Sequence, residues 1–466
     1  MDTRKLRQKI LDLAIRGKLV PQDPNDEPAS VLLERIKAEK EQLIKEGKIK
    51  RPKKTSSSDK SHYENIPFEI PEGWALVDFS ELISLLSGRD LETANYNSNQ
   101  EGIPYLIGAS NIVDGKINIT RWTTKPLVIS KYGDILISCK GTIGEIVVNE
   151  IGEIHIARQF MAIQTLPMIY TEYIELFIRS IVNNIKSNAR GVIPGISRED
   201  ILHRKIALPP LDEQRRIVIE MKKWLDLITD IETEKLELKS HIKGTKSQIL
   251  DLAISGKLVS QDPTDEPAIE LLKRINPNFT SCDNSHYENL PFEIPQSWVW
   301  STLGKIGKWQ SGATPSRMRK DYYGGDIPWL KTGDLNDNYI TDIPESITEL
   351  ALKETSVKLN PSGSILIAMY GATIGKIGIL TMPATTNQAC CACIEHDGIE
   401  QKYLFYYLLS HKEEFIRQGG GGAQPNISKE KIIETLIPIP PLKEQRRIVN
   451  TIETIFSHLD TITAEL

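Results

Sequence analysis

The two halves of this sequence repeat each other, and this repetition limits the possible folds more than any other feature. The phrase PPLDEQRRIV at residues 209–218 returns as PPLKEQRRIV at 440–449, 231 residues later and with a single substitution. The phrase LDLAIRGKLV at 11–20 returns as LDLAISGKLV at 250–259, 239 residues later. Matches of this length are too long to arise by chance. The chain is therefore a tandem duplication, and its fold must contain the same unit twice.

The two copies are not equally similar along their length. SHYENIPFEIPEGW at 61–74 is nearly identical to SHYENLPFEIPQSW at 285–298, whereas residues 75–207 and 299–439 agree only at scattered positions. The offset of this phrase is 224 residues, which places 15 extra residues in the first copy. These residues surround a Lys-rich stretch that predicts a helix extension and a solvated linker. Nearly identical segments perform one task twice, and the divergent segments perform two related but different tasks.

The repeated phrase PPLxEQRRIV opens a heptad pattern. Apolar residues follow at alternating spacings of four and three, interrupted only at Lys235 and Thr245. The pattern predicts a long coiled-coil helix over 213–256, roughly 65 Å long at about 1.5 Å per residue. The second copy repeats the pattern up to residue 466. The predicted spacer-helix residues are Ile217, Met221, Trp224, Ile228, Ile231, Ile448, Ile452, Ile455, Leu459 and Ile462.

The repeat is circular. By the offsets, Leu466 corresponds to Lys235 and Met1 corresponds to Ser240, so the two terminal segments together correspond to the central helix. We therefore expect helix 213–256 to pack antiparallel against this composite helix around a pseudo-two-fold axis. Taken alone, either apolar stripe could instead belong to a helix that is buried in the core of its own domain. Two copies that bracket two globular segments favour the coiled coil.

The divergent segments combine short strands with helices. GDILISC at 133–139 and GSILIAM at 363–369 predict buried strands followed by glycine turns, and helical patterns follow at 170–185 and 399–416. The predicted fold class is mixed α/β (α+β), with two globular domains joined by two long antiparallel coiled-coil helices. The predicted boundaries are 1–60 for an N-terminal helical segment and linker that complete the C-terminal spacer, 61–210 for the first globular domain, 211–284 for the central helical spacer, 285–441 for the second globular domain and 442–466 for the C-terminal spacer helix.

Composition excludes several classes of function. The net charge of −5 argues against a wholly basic nucleic-acid coat, so any DNA contact must depend on local surfaces. We expect no membrane span, because no apolar run is long enough, and the N-terminus lacks the pattern of a signal peptide. The five cysteines, with three of them in CCAC at 390–393, predict reduced thiols in the cytoplasm.

No catalytic or cofactor-binding motif stands out. GGGG at 419–422 lacks the Lys-Ser/Thr pair that completes a phosphate-binding loop. CCAC lacks a second ligand pair at zinc spacing, and its alternation fits an apolar strand. NPNF at 276–279 is only superficially similar to a loop of amino-methyltransferases and predicts a turn. We therefore expect no enzyme, no metal site and no cofactor in this chain.

Polar, glycine-rich loops punctuate the divergent segments. WQSGATPSRMRK at 309–320, WLKTGDLNDN at 329–338 and YGATIGK at 370–376 carry Lys, Arg, Asn and Ser side chains beside glycine. Such loops suit a close approach of backbone to phosphates and hydrogen bonds to base edges. Each of them alone also fits an ordinary surface turn, and both interpretations stay open at this point.

Taken together, the motifs resemble those of one family. PPLxEQRRIV twice, LDLAIxGKLV, PFEIPxxW, IPWLKTGDL, SGATPS and GATIGK are similar to the specificity subunit of type I restriction–modification systems, over essentially the whole chain. The resemblance implies two target-recognition domains, each of which reads half of a bipartite double-stranded DNA site. It also implies helical spacers that dock two modification subunits, which carry S-adenosylmethionine. Restriction subunits would supply ATP- and Mg-dependent activity, and this chain would be non-catalytic.

Within this resemblance the loops supply candidate DNA contacts, with Arg and Lys for phosphates or guanine and Asn and Gln for adenine. The candidates are Lys140, Arg158, Gln159, Thr314, Ser316, Arg317, Lys331, Tyr370, Lys376, Asn387, Gln388 and Gln424. The first copy departs from the pattern, because LLSGRDLETANYN at 85–97 stands in place of SGATPS and leaves its base-reading loops harder to place. Two alternatives stay open: a degenerate methyltransferase or nuclease, and a coiled-coil scaffold that presents two adaptor domains without binding DNA.

Overall fold

The computed structural model describes residues 2–47, 68–188, 195–282, 290–396, 398–420 and 426–466. The chain divides into two compact units, unit 1 over Met1–Glu234 and unit 2 over Lys235–Leu466. This division matches the sequence repeat, so each unit contains one copy of the globular segment. The candidate Gln424 and the SHYEN phrases lie outside the described residues.

The helices of unit 1 recur in the same order in unit 2, which contains additional helices. Unit 1 contains α1 (Thr3–Ile15), α2 (Ala29–Lys45), α3 (Phe79–Leu82), α4 (Thr171–Asn188), α5 (Arg198–Leu202) and the first half of α6 (Leu211–Ile254). Unit 2 contains the second half of α6 and then α7 (Ala268–Ile275), α8 (Leu303–Ile306), α9 (Glu349–Glu354), α10 (Gln401–Ser410), α11 (Lys412–Gly419), α12 (Lys429–Glu434) and α13 (Leu442–Glu465). Both predicted long helices are therefore confirmed, α6 from residue 211 to 254 where 213–256 was predicted and α13 up to residue 465.

The strands are short in both units. Unit 1 contains β1 (Ala75–Asp78), β2 (Ile83–Ser87), β3 (Ile103–Leu106), β4 (Ile112–Val113), β5 (Lys116–Ile117), β6 (Trp122–Thr123), β7 (Ile129–Ser130), β8 (Ile135–Ser138), β9 (Ile146–Val148), β10 (Ile154–Ile156), β11 (Phe160–Thr165) and β12 (Lys205–Leu208). Unit 2 contains β13 (Val299–Thr302), β14 (Lys308–Ser311), β15 (Tyr323–Leu330), β16 (Asn338–Ile340), β17 (Ser346–Ile347), β18 (Leu359–Asn360), β19 (Ile365–Ala368), β20 (Ile377–Leu380), β21 (Ala384–Thr386), β22 (Cys390–Glu395) and β23 (Leu436–Ile439).

Each unit has two larger sheets with matching strand order. In unit 1 the orders are β2-β11-β8-β9 and β6-β3-β10-β7, and in unit 2 they are β14-β22-β19-β20-β16 and β17-β15-β21-β18. The second sheet of each unit has a parallel central pair, β3 with β10 and β15 with β21. A two-stranded antiparallel sheet, β1 with β12 or β13 with β23, pairs the start of each globular segment with its end.

Most of the predicted elements of the globular segments are confirmed. The two apolar phrases form the buried strands β8 and β19, and CCAC lies in the buried part of β22. The helical pattern at 170–185 is α4, but the pattern at 399–416 is two helices, α10 and α11, rather than one. The break lies at His411, where the backbone leaves the helical region (φ −89°, ψ 5°) and the ring bonds to the Tyr407 hydroxyl at 3.1 Å.

Within each unit a second helix packs antiparallel against α6. In unit 1, α1 approaches α6 through Arg7 and Glu232, whose side chains pair at 2.9 Å, and Gln22 beyond the end of α1 reaches back to Glu213. In unit 2, α13 approaches the second half of α6 through an ion pair between Asp460 and Lys246. The predicted antiparallel pairing is therefore confirmed inside both units.

The apolar stripe lies between these helices, with two exceptions. Ile217, Met221, Ile228, Ile448 and Ile452 are buried, and Ile231, Ile455 and Leu459 are partly buried. Trp224 and Ile462 are 38% and 44% exposed, so the expectation that they occupy the seam was wrong. A heptad pattern drifts around a helix that has 3.6 residues per turn, and Leu225 packs against the core in place of its neighbour Trp224.

The phrase EQRR is held in place by buried contacts at the first turn of α6. Glu213 is 1% exposed and accepts hydrogen bonds from Trp74 Nε1 at 2.9 Å and from Gln22 Nε2 at 2.7 Å. Burial raises the pKa of this carboxyl. Arg216 pairs with Asp26 at 2.6 Å. The beginning of the long helix is thereby joined to the loop after α1 and to the segment that leads into β1.

Gln214 and its repeat equivalent Gln445 connect the start of each long helix to the globular segment of its unit. The Gln214 side chain accepts the backbone N–H of Tyr170, just before α4, at 3.1 Å. Unit 2 repeats the set, with Gln261 donating to Glu444 at 2.6 Å, the N–H of Glu400 donating to Gln445 at 2.7 Å and Arg447 pairing with Asp265 at 2.7 Å. These contacts within each unit are one reason why the two phrases are nearly identical. A shared partner would be a second reason.

Candidate nucleic-acid interface

In unit 2, most candidate residues collect at one edge of the sheet that contains β15 and β21. These strands run parallel and therefore end at the same edge. Lys331 directly follows β15, and Asn387 and Gln388 directly follow β21. The backbone N–H of Asn387 donates to the carbonyl of Leu330 at 3.0 Å, which joins the two strand ends. We call this edge, together with the loops that cover it, the recognition edge of unit 2.

The loop between β14 and β15 folds over this edge. The N–H of Ala313 donates to the carbonyl of Thr386 at 2.9 Å, and the Thr314 hydroxyl donates to the side-chain oxygen of Gln388. A Cβ at Gly312 would lie 2.3 Å from the Thr386 carbonyl oxygen, so this position requires glycine. SGATPS thus places its polar residues beside those that follow β21.

Two cations of this edge share one carboxylate. Arg317 Nη2 donates to Glu345 Oε2 at 2.8 Å, and Lys331 Nζ donates to Glu345 Oε1. The Arg317 guanidinium lies over the rings of Tyr323 and Trp329, 4.4 and 5.0 Å from their centroids. The hydrogen bonds from Lys331 and Arg317 lower the pKa of Glu345, so it is a carboxylate at neutral pH.

The remaining candidates of unit 2 are placed unequally. The N–H of Met369 donates to the carbonyl of Ala389 at 2.7 Å, which brings Tyr370, 40% exposed, beside the residues that follow β21. Lys376 is partly buried and follows the same turn. Ser316 is exposed in the β14–β15 loop. Of these residues, Tyr370 is the one whose neighbour Met369 is hydrogen-bonded to the segment after β21.

Asn387 presents only part of its amide. Its Oδ1 atom is buried and has no hydrogen-bond partner among the described residues. Gln388 beside it is exposed. A base contact by Asn387 would therefore use Nδ2, and Gln388 is the more accessible amide of this pair.

Unit 1 builds the same edge from a different sequence. Strands β3 and β10 run parallel, and the N–H of Ala157, after β10, donates to the carbonyl of Leu106 in β3 at 2.9 Å. The N–H of Cys139 donates to the carbonyl of Gln159 at 2.7 Å, which brings the glycine turn after β8 to the same place. The three candidates of unit 1, Lys140, Arg158 and Gln159, lie together on this recognition edge of unit 1.

Equivalent positions of the two edges carry different side chains. Lys140 of unit 1 and Tyr370 of unit 2 occupy the same place, each in an isolated bridge to the segment before α5 or α12. Arg158 occupies the place that Gln388 has in unit 2, one residue before the carbonyl that ties the edge to the turn. The backbone arrangement is shared, and the hydrogen-bonding chemistry differs.

The loop that the sequence left unplaced in the first copy is the counterpart of SGATPS. The N–H of Gly88 donates to the carbonyl of Phe160 at 3.0 Å, and the N–H of Arg89 donates to the carbonyl of Ile156 at 3.0 Å, as the N–H groups of Gly312 and Ala313 do in unit 2. Ser-Gly at 87–88 also precedes Ser-Gly at 311–312 by 224 residues, the offset of the SHYEN phrase. That offset was the signal that could have aligned the loop.

Arg89 and Asp90 are edge residues that sequence reasoning missed. Asp90 accepts from Arg158 Nε at 2.7 Å and from its backbone N–H at 3.1 Å, so this arginine is held in one position. Burial lowers the pKa of His155, which favours the neutral ring. Its Nε2 bonds to the carbonyl of Arg89 at 3.0 Å, and its Nδ1 accepts the N–H of Val128 at 3.2 Å. His155 is a structural support of the loop.

The two edges offer hydrogen-bond donors on loops. Guanidinium, ammonium and amide groups of this kind bond phosphates and base edges of double-stranded DNA. Within the described residues, no group of three or more His, Cys, Asp or Glu side chains is arranged to hold a metal ion. None of the helices described is both long and apolar enough to cross a membrane.

Comparison with known protein families gives one match, in both halves of the chain. The model described as type I restriction modification DNA specificity domain matches residues 71–240 and again residues 295–466. Each match contains one recognition edge. The two halves of the repeat therefore correspond to two copies of one DNA specificity domain.

Similar proteins support the match over nearly the whole chain. The type I restriction enzyme EcoEI specificity subunit of Escherichia coli is 27% identical over 99% of this chain and 90% of its own length. The EcoAI specificity subunit of Escherichia coli is 27% identical over 97% of this chain and 88% of its own length. The crystal structure of the HsdS subunit from Thermoanaerobacter tengcongensis has the same fold, with a TM-score of 0.53, 20% identity and coverage of 86% of this chain and 93% of that one. A solved structure from work on complex assembly and conformational transition of the type I R-M system gives a TM-score of 0.60 at 19% identity, with coverage of 86% and 94%.

Proposed function

Because the chain belongs to the family of type I restriction–modification DNA specificity subunits, we propose that each recognition edge contacts one half of a bipartite double-stranded DNA site. The observation that carries this proposal is the duplication of one strand-end edge with different side chains in each copy. An edge that keeps its backbone and exchanges Lys140 for Tyr370, or Arg158 for Gln388, meets DNA in the same way but bonds different bases.

The side chains suggest what each edge bonds. On the edge of unit 1, Lys140, Arg158 and Arg89 are exposed cations, which suit phosphates and guanine. On the edge of unit 2, Gln388 is an exposed amide, which suits adenine, beside the paired cations Arg317 and Lys331. The proposed target-recognition domains are residues 61–210 and 285–441.

The spacer helices are the proposed docking surface for two modification subunits. Trp224 and Leu227 on α6 and Ile462 on α13 are exposed apolar side chains that no core of the described residues covers. Exposed tryptophan is a frequent anchor of protein interfaces. The duplication of the helices supplies one such surface for each of two modification subunits, with restriction subunits joining that complex.

The division of chemistry follows from these partners. S-adenosylmethionine is proposed to bind the modification subunits, and ATP and Mg the restriction subunits, while this chain stays non-catalytic. A cytoplasmic location is part of the proposal, supported by five cysteines that are all free and buried.

The decisive experiment maps methylation. The chain is co-expressed with the modification subunit from its own operon, and the methylated bases of the host genome are identified by sequencing. The expected result is one bipartite motif with a gap of fixed length. Exchange of residues 75–207 for those of a related specificity subunit should change one half of the motif only. A contiguous motif, or no methylation from a complex that contains both proteins, would overturn the proposal.

A further inference from the structure

We infer that Glu345 is a positioning residue of the recognition edge of unit 2, which orients Arg317 to read a guanine in the half-site that this edge contacts. The inference deepens the proposed function and rests on it. Sequence reasoning had selected Arg317 and Lys331 but gave no reason to select Glu345, which lies in the segment between β16 and β17. Only the folded chain brings the three side chains together.

The Arg317 guanidinium is fixed on one face and at one nitrogen. The rings of Tyr323 and Trp329 lie beneath it, and Glu345 accepts from Nη2. Among the described residues, Nη1 and Nε of Arg317 have no hydrogen-bond acceptor, and the side chain is 55% exposed. The second hydrogen of Nη2, together with an N–H of the nitrogen beside it, forms a planar fork that matches the O6 and N7 acceptors of guanine in the major groove.

The platform under Arg317 is itself rigid. Trp329 is buried, and its Nε1 donates to the carbonyl of Ala313 at 3.1 Å. The Tyr323 hydroxyl donates to the carbonyl of Pro315 at 2.6 Å. The backbone N–H of Trp329 donates to the carbonyl of Glu345 at 2.9 Å, which fixes the carboxylate relative to the ring. Arg317 is therefore ordered before DNA binds, and binding loses little side-chain entropy.

Lys331 is the second cation of this cluster. It bonds to the second oxygen of Glu345, so Arg317 and Lys331 share one carboxylate. The two cations favour an approach to DNA, while the carboxylate opposes non-specific contact with phosphate. Glu345 thus contributes to discrimination, both by orienting Arg317 and by repelling phosphates that would bind the guanidinium without a base.

Arg319 provides a contrast within the same loop. Its guanidinium donates twice to Asp321, at 2.9 and 2.7 Å from two different nitrogens, and approaches Glu354 at 3.4 Å. It lies over the ring of Tyr322, 4.3 Å from the centroid. Two carboxylates surround one cation here, so this cluster is negative overall. The ion pairs of Arg319 therefore stabilise the loop itself, and Arg319 serves as the control position.

The test uses the purified complex of this chain with its modification subunits. Competition binding is measured against a series of duplexes in which each base pair of the wild-type methylation motif is replaced in turn. In Arg317→Ala, discrimination at one G·C pair of the half-site read by unit 2 should fall on the order of 10- to 100-fold, with the other half-site unaffected. Arg319→Lys should leave discrimination at every position unchanged.

Glu345→Gln separates positioning from a structural role. Discrimination at the same G·C pair should fall several-fold, and binding to a duplex without the motif should become tighter, because a negative charge is lost near the phosphates. A merely structural defect would weaken binding to both duplexes. Weakening of both, or a relaxed position that is not G·C, would overturn the inference.

Failure of this inference and failure of the proposed function give different results. If the wild-type complex shows no bipartite motif, the proposed function is wrong. If the motif is present but Arg317→Ala relaxes no position within it, the assignment of Arg317 and Glu345 is wrong and the proposed function stands.

Discussion

Replacing Glu213 with alanine should destabilise unit 1 because a buried donor, Trp74 Nε1, would lose its acceptor. Trp74 Nε1 and Gln22 Nε2 donate to this carboxylate at 2.9 and 2.7 Å. A buried donor left without a partner costs about 1–3 kcal/mol. Burial of the Glu213 carboxylate itself costs free energy, as its raised pKa indicates. This cost offsets part of the stabilisation that the hydrogen bonds provide. We expect a net loss in the free energy of unfolding of about 1–3 kcal/mol.

Differential scanning calorimetry of the full chain measures this loss. For a unit of this size, 1 kcal/mol shifts Tm by about 2–4 °C, so the transition of unit 1 should fall by about 2–12 °C. Glu220→Ala is the matched control on the same helix, because among the described residues Glu220 pairs only with Lys223, at 3.2 Å and with the lysine side chain 69% exposed. Such a pair is worth less than about 1 kcal/mol. Equal shifts in Tm for the two variants would refute the stabilising role of the Glu213 hydrogen bonds.

The same carboxyl should make stability depend on pH. Burial raises the pKa of Glu213 in the folded chain, so the folded state binds a proton at a pH where the unfolded state has lost it. The contribution of this group to stability is therefore fully present below the ordinary glutamate pKa and is lost as pH rises through the raised value. The unfolding free energy of the chain relative to Glu213→Gln should decrease across this window, as followed by urea denaturation. An increase with pH would contradict the reasoning.

Three further predictions concern the edges and the thiols. Gly312→Ala places a Cβ 2.3 Å from the Thr386 carbonyl oxygen, so we expect at least about tenfold weaker binding of the complex to its own site, measured by fluorescence anisotropy. Gly333→Ala, where a Cβ meets nothing within 4 Å, should bind normally, and equal losses would contradict the packing argument. Arg158→Ala should lower the slope of log K against log salt by about one if Arg158 bonds a phosphate, and an unchanged slope excludes that contact. Burial raises the pKa of Cys391 and of Cys393 to about 12, so both thiols should resist iodoacetamide at about pH 8 until the chain is denatured, as read by mass spectrometry. Modification of the native chain at either thiol would show that β22 opens.

Much of the fold was predictable because it depends on patterns along the chain. The heptad spacing predicted α6 and α13, and the apolar phrases predicted β8 and β19, since periodicity records which face of a local element is buried. The pattern could not distinguish a seam residue from its neighbour. Trp224 is exposed and Leu225 is packed because the partner helix, rather than the spacing, decides where the stripe ends.

The candidate site was likewise only partly predictable from the sequence. Lys331, Gln388 and Thr314 were selected from polar glycine-rich loops, and the structure brings them to one edge. Lys376 came from the same kind of loop and is partly buried after the turn that carries Tyr370. Asp90 and Glu345 carried no signal in the sequence, because a carboxylate that orients an arginine is recognisable only by what it touches.

The sequence by itself determined that this protein contains one unit twice, that long helices connect the copies, and that the copies differ in their globular segments. Repetition and periodicity are properties of the amino-acid sequence and can be recognised without a structure. Only the tertiary structure decided that parallel strands end side by side, β3 with β10 and β15 with β21, and so assemble loops far apart in sequence into one edge. The chemistry of that edge depends on distances between side chains, which the folding of the sheet sets and linear spacing does not.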